Sequence, residues 1–184
     1  MMVAVAGLLL GGCASEPKPA AVESVSSSSK DIAIRNNAVS LLYDLLNDEQ
    51  NVSKVLIIKR NSAELGRLIK DISKTAAGEK KQLEDMARID PDLLLHAIEL
   101  PPGEKATRDS IAKTKEHELL FTSGSQFEFN LLLTQTDALS YGWHLAKIAA
   151  DNSSRPEEIE QFKMMSQNLK TLDDKVLTRL HSNK

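Results

Sequence analysis

The sequence predicts an all-α fold: an antiparallel four-helix-type bundle with one polar side or crossover helix. Two observations lead there. Aromatic residues are only 4% of the chain while hydrophobic residues are 41%, so a core must be built mostly from Leu, Ile, Val, Ala and Met, which suits packed helices better than a β-sandwich. Apolar residues then recur at alternating steps of three and four through most of the chain, the period of a helix buried on one side. No segment alternates with period two outside a helical pattern.

The elements follow in order. Asp31 to Asn47 reads as a first helix, with Ile34, Ala38, Leu41, Leu42 and Leu45 inward. A second, long helix is expected from Asn51 to Met86. Its seam is Val55, Ile58, Ser62, Leu65, Ile69, Ile72, Ala76, Glu79, Leu83 and Met86, with Ser62 and Glu79 as polar interruptions. Gly66 and Gly78 each weaken that helix by about 1 kcal/mol relative to Ala, and Gly78 marks the place for a break. Asp90-Pro91 resembles a cap with proline at the first helical position, which predicts a short helix from Pro91 to Ile98. Leu100-Pro101-Pro102-Gly103 stops it. Glu104 to Leu120 is helical but polar, and is expected on the surface.

Ser125 followed by Glu128 has the spacing of a capping box. The helix it opens, Gln126 to Ala150, shows Phe127, Leu131, Thr134, Ala138, Tyr141, Leu145 and Ile148 as its stripe, and Gly142 would allow a neighbouring helix to approach closely. Ser154 and Glu157 repeat the capping spacing. The last helix, Arg155 to Leu180, turns Ile159, Phe162, Met165, Leu169, Leu172 and Val176 inward. Residues 31–184 thus form one helical domain.

The N-terminus is a different kind of sequence. Met1 to Gly12 carries no charge and is apolar or Gly throughout. It is too short to cross a bilayer, which takes about 20 residues, and long enough for the apolar part of a secretory signal. Leu10-Gly11-Gly12-Cys13 resembles the lipobox of bacterial lipoproteins: a branched residue three places before a cysteine, with small residues between. That family opens on Lys or Arg, where this chain has Met1-Met2. The resemblance implies a signal peptide over 1–12, cleavage before Cys13, and acyl chains such as palmitate on that thiol. Ala14 and Ser15 follow in place of the Asp that retains many such proteins at the inner membrane. The implied location is therefore the bacterial cell envelope, anchored by lipid to the outer membrane and facing the periplasm. Residues 13–30 then read as a tether, with Pro17, Pro19 and the run Ser26 to Ser29, and little to bury.

Composition excludes several functions. A net charge of −3 gives no basic domain for nucleic acid. The single cysteine rules out an intramolecular disulfide and a multi-cysteine zinc site. No Gly-x-Ser-x-Gly elbow, phosphate-binding loop or Glu-x-x-His pair occurs, so no cofactor and no catalytic residue is expected. The residues left for a ligand or metal are His96, with Asp92 and Glu99 on the same face of the expected short helix, and His144 beside Trp143. From Lys54 to Lys81 eight basic residues stand against three acids. Lys54, Lys59, Arg60, Lys70, Arg67 and Lys74 could therefore face an anionic surface, although solvated pairs such as Arg67–Asp71 account for such a face too. The expectation is a non-enzymatic envelope protein that packs on an envelope partner or on itself. The alternative is a periplasmic bundle binding a small ligand or metal.

Overall fold

The computed structural model describes residues 29–98 and 100–182. The expected signal, Cys13 and the expected tether up to residue 28 lie outside the described residues. Among the described residues every regular element is helical, and no helix is long and apolar enough to cross a membrane.

Helix α1 spans Ser29–Glu49. Ala38, Val39, Leu42 and Leu46 are its buried apolar side chains, and it also buries Arg35, Asn36 and Ser40. The long second helix expected from Asn51 is broken. A 3-10 turn, Val52–Lys54, and a single helical turn α2, Val55–Ile58, come first. Lys59 is extended (φ −127°, ψ 134°), and α3 runs Ala63–Ile89. The break falls at Ser62, not at Gly78, because Ser62 acts as an N-cap: its side chain accepts the Leu65 N–H at 3.3 Å. An N-cap hydroxyl satisfies one of the amides that a helix start leaves open. From Leu65 on, the expected seam is the buried face, Glu79 included.

Pro91 to Ile98 forms turns instead of the short helix expected there. Polar side chains of α1 take its backbone groups first. Arg35 Nη2 and Asn36 Nδ2 both donate to the Asp92 carbonyl at 2.8 Å. Ser40 Oγ donates to the Leu94 carbonyl at 3.2 Å and accepts the Ala97 N–H at 2.8 Å. An eight-residue helix has too few internal bonds to compete with these. Leu93 is fully sunk into the core as a result.

Helix α4, Pro102–Phe121, buries no residue, as its polarity predicts. α5 spans Gly124–Asp151 and α6 spans Pro156–Ser182. Residues Arg35 and Asp90 join the start of α1 to the end of α3, and Thr136–Asp173 and Ser166–Trp143 bonds set α5 against α6 head to tail. The four long helices form a ring in the order α1, α3, α6, α5, each antiparallel to its neighbours. α3 and α5 are therefore diagonal and parallel. The chain must return the length of the bundle between them, and α4 makes that crossover along the outside of α5.

The inner stripe of α5 differs from the expected one. Phe127, Leu131 and Leu145 are buried, but Tyr141 and Ile148 are exposed, and Leu132, Gln135, Leu139, Gly142, Ala146 and Ala149 face inward. The small residues decide the rotation. A Cβ on Gly142 would lie 2.8 Å from Leu45 Cδ2 and 3.2 Å from Leu169 Cδ1, so α1 and α6 close onto α5 at that point. Each fully buried Leu or Phe side chain in this core contributes about 1.5–3 kcal/mol.

Candidate functional site

Both ends of the bundle are closed by ion clusters. At one end Arg35, 4% exposed, donates to Asp90 Oδ2 at 3.3 Å and to Glu158 Oε2 at 3.1 Å. Arg155 stands 3.6 Å from a carboxylate oxygen of each. Burial pushes Glu158 up, and the adjoining Asp90 carboxylate adds to that. Burial also acts on Asp90, but its hydrogen bonds with Glu158 and the Asp92 N–H, and the charges of Arg35 and Arg155, outweigh it and hold Asp90 below 3.8. Below about pH 7 the pair therefore holds a proton, favoured on Glu158 over Asp90. At the other end Arg179 bonds Glu64 at 2.8 Å, Glu128 at 3.1 Å and the Ser62 hydroxyl at 2.6 Å. Glu128 Oε1 accepts the Ser62 N–H at 3.0 Å. Glu128 thus serves α3, and not the capping box expected with Ser125; α5 starts from Ser123 instead. These clusters tie helices together, and their charges face one another.

The open chemistry lies midway, between α3 and α6. A groove of about 610 Å³ runs there, lined by Gly78 and Glu79 of α3 and Asn168 and Leu172 of α6, with the exposed Lys74 and Lys175 at its edges. Glu79 occupies a seam position between Ala76 and Leu83 and is 4% exposed. Neither of its carboxylate oxygens has a hydrogen-bond partner among the described residues. Burial pushes it from 4.5 to about 8, and the Asn168 side chain across the groove offsets part of this without reaching good hydrogen-bond geometry. At neutral pH it is a carboxylic acid, able to donate one hydrogen bond and accept others. No histidine lines the groove; its other titratable groups are Asp71, Lys74 and Lys175.

The residues singled out from sequence are dispersed. His96 lies exposed in the 90–98 turns, edge-on to Tyr43 at 5.2 Å. No helix sets Asp92 on its face, and the Glu99 side chain lies outside the described residues. His144 is exposed on α5, its Nδ1 2.8 Å from the Ser140 carbonyl oxygen and its ring stacked on Trp143. Among the described residues no group of three or more His, Cys, Asp or Glu is placed to hold a metal ion. Of the basic residues, Lys54 and Arg60 lie in the break before α3, and Arg67, Lys70 and Lys74 are exposed along α3. The Arg67–Asp71 pair is absent from the ion pairs of the described residues; Lys80–Glu84 and Lys81–Asp85 form instead. Lys59 is committed inward: its Nζ donates to the Leu120 and Thr122 carbonyls at 2.6 and 2.8 Å, closing the C-terminus of α4.

Sequence reasoning missed Arg35, Glu158 and Gln135. Arg35 bonds carboxylates 55 and 123 residues away, a distance at which no local pattern speaks. Glu79 carried a visible signal, a carboxylate in an apolar seam. No protein-family model, curated protein or solved structure matches the chain.

Proposed function

We propose that the chain is an envelope lipoprotein, anchored to the outer membrane through Cys13 and facing the periplasm, whose bundle is a non-enzymatic structural or protein-interaction module. The observation that carries this is Leu10-Gly11-Gly12-Cys13, set where an uncharged apolar run gives way to a Pro- and Ser-containing tether. Two or three acyl chains make attachment stable where one is marginal, since each buried CH₂ contributes about 0.8 kcal/mol. Ala14 and Ser15 after the cysteine favour the outer membrane. The test is fractionation and intact-mass measurement of the wild type and of Cys13→Ser. The wild type should sediment with membranes, start at residue 13 and carry acyl mass, and the variant should lose both properties. A Cys13→Ser protein that stays membrane-bound and unshifted in mass would overturn the reading.

A second reading, a bundle that binds a small ligand, is favoured by one observation: the unpartnered Glu79 carboxyl in the α3–α6 groove. Elemental analysis of protein purified without chelator separates its metal-binding form, since stoichiometric iron, zinc or copper would require a site built otherwise than His96 and His144.

A further inference from the structure

The break between α1 and α3 carries an apolar tip. In α2, Val55 and Leu56 pack against the core, while Ile57 is 83% and Ile58 62% exposed. The Lys59 bonds to the Leu120 and Thr122 carbonyls bring the end of α4 beside this turn, and there Phe121 is 75% exposed. Isolated surface hydrophobics are ordinary, but large ones gathered at one place mark an interaction surface. The charged residues that directly flank the isoleucines are cations. Lys54 and Arg60 flank the two isoleucines, are exposed, and form no ion pair among the described residues. Of the acids nearby, Glu64 and Glu128 share Arg179 and Glu118 stands 3.9 Å from Lys115, while Glu116 on α4 and Asp48 in the last turn of α1 are exposed.

We propose that this tip, Ile57, Ile58 and Phe121 with Lys54 and Arg60, docks the folded domain on an anionic lipid bilayer. Branched and aromatic side chains enter the boundary between headgroups and acyl chains, and the flanking cations meet lipid phosphates. The tip lies at the end of the bundle away from the start of α1. It does not rest on the lipid anchor, and the test removes that anchor.

Full-length Cys13→Ser protein is floated with phosphatidylglycerol–phosphatidylcholine vesicles and with phosphatidylcholine vesicles alone. Flotation is expected with the first only, weakening as salt rises. Adding Ile57→Asp with Phe121→Asp, or Lys54→Glu with Arg60→Glu, should lower the affinity at least tenfold. These side chains are exposed, so the fold survives, and Ile89→Asp, at the opposite end and also exposed, is the matched control that should bind as before. Absence of flotation, equal flotation with both vesicles, or binding unchanged in the tip variants would overturn the proposal. So would sedimentation showing that Ile57→Asp dissolves a dimer, which would assign the tip to a second copy of the chain. None of these outcomes touches lipidation of Cys13, which is read from the mass of the wild type.

Discussion

Helix α6 is packed on two sides by opposite means. Toward α5 the contact is close: Leu169 lies 3.2 Å from where a Cβ on Gly142 would stand, and Ser166 donates to the Trp143 carbonyl at 2.9 Å. Toward α3 the seam is interrupted by Glu79, and the surface opens into a groove edged by Lys74 and Lys175. Both flanks hold a glycine on the helix facing α6. At Gly142 a Cβ would collide with two leucines, whereas at Gly78 it would meet nothing within 4 Å. The first glycine is required by packing; the second leaves room that packing does not use. A close-packed flank gains dispersion and excludes water. The open flank gives up that gain and keeps a buried acid, which is where specificity for something other than α6 can reside.

The largest expected effect tests the acid. A carboxyl whose folded value lies above its unfolded value favours folding fully below the unfolded value, and loses that contribution as pH rises through the folded one. Glu79 goes from 4.5 to about 8, while Glu49 and Glu158 go from 4.5 to about 7. Stability should therefore decline from about pH 4.5 upward, and between pH 7 and 8 Glu79 gives the largest share of that decline. Urea unfolding of wild type and Glu79→Gln at successive pH values measures this. The gap between them should widen in favour of the variant by on the order of 3 kcal/mol from pH 5 to pH 8. Parallel curves would mean that the groove solvates Glu79 and that the two flanks differ less than their burial suggests.

On the closed flank, Gly142→Val should destabilise the fold by about 2 kcal/mol, the usual cost of forcing extra carbons into a filled core. The loss should appear as a lower urea midpoint with an unchanged slope. Combined with Leu169→Ala, which removes one of the two side chains the new group would meet and leaves the nearer Leu45 in place, the penalty should be somewhat less than the sum of the two single changes. Additivity would show that α5 and α6 are not in the contact that Gly142 and Leu169 define.

Much of this difference could be read in the sequence, but not its meaning. The three-four seam of α3 from Leu65 to Met86 and that of α6 from Phe162 to Val176 are local patterns, and both are the buried faces. Ser62 and Glu79 look alike in the seam, as two polar residues at apolar positions. One starts a helix and the other sits unpartnered inside the bundle. What separates them is Lys59 fixing the end of α4 and Asn168 lying across the groove, contacts made by distant parts of the chain. The buried stripe of α5 departs from its hydrophobic pattern for a related reason. Tyr141 and Ile148 have the hydrophobicity for the core, but the small Gly142, Ala146 and Ala149 let helices come nearest, and closeness overrode hydrophobicity. Asp90-Pro91 carried a valid helix-start signal that lost to side chains of α1. The shared face of His96 with Asp92 and Glu99 depends on a helix over 91–98, where turns form instead, and His144 beside Trp143 is a pairing of sequence neighbours that stays on the surface.

The smallest effect separates packing from use most cleanly. Gly78 lies in mid-helix, where Gly is less favourable than Ala by about 1 kcal/mol, and no neighbour excludes a methyl group. Gly78→Ala should therefore raise stability by about 1 kcal/mol, opposite in sign to Gly142→Val although both add a side chain to a helical glycine facing α6. Thermal or urea unfolding of the two single variants, measured side by side, decides the matter. If Gly78→Ala is also destabilising, α3 and α6 close on each other in solution and the groove is no larger than the flank toward α5. If it stabilises, the glycine costs the fold something that the packing of α3 on α6 does not return, and the two flanks of α6 differ as their geometry indicates.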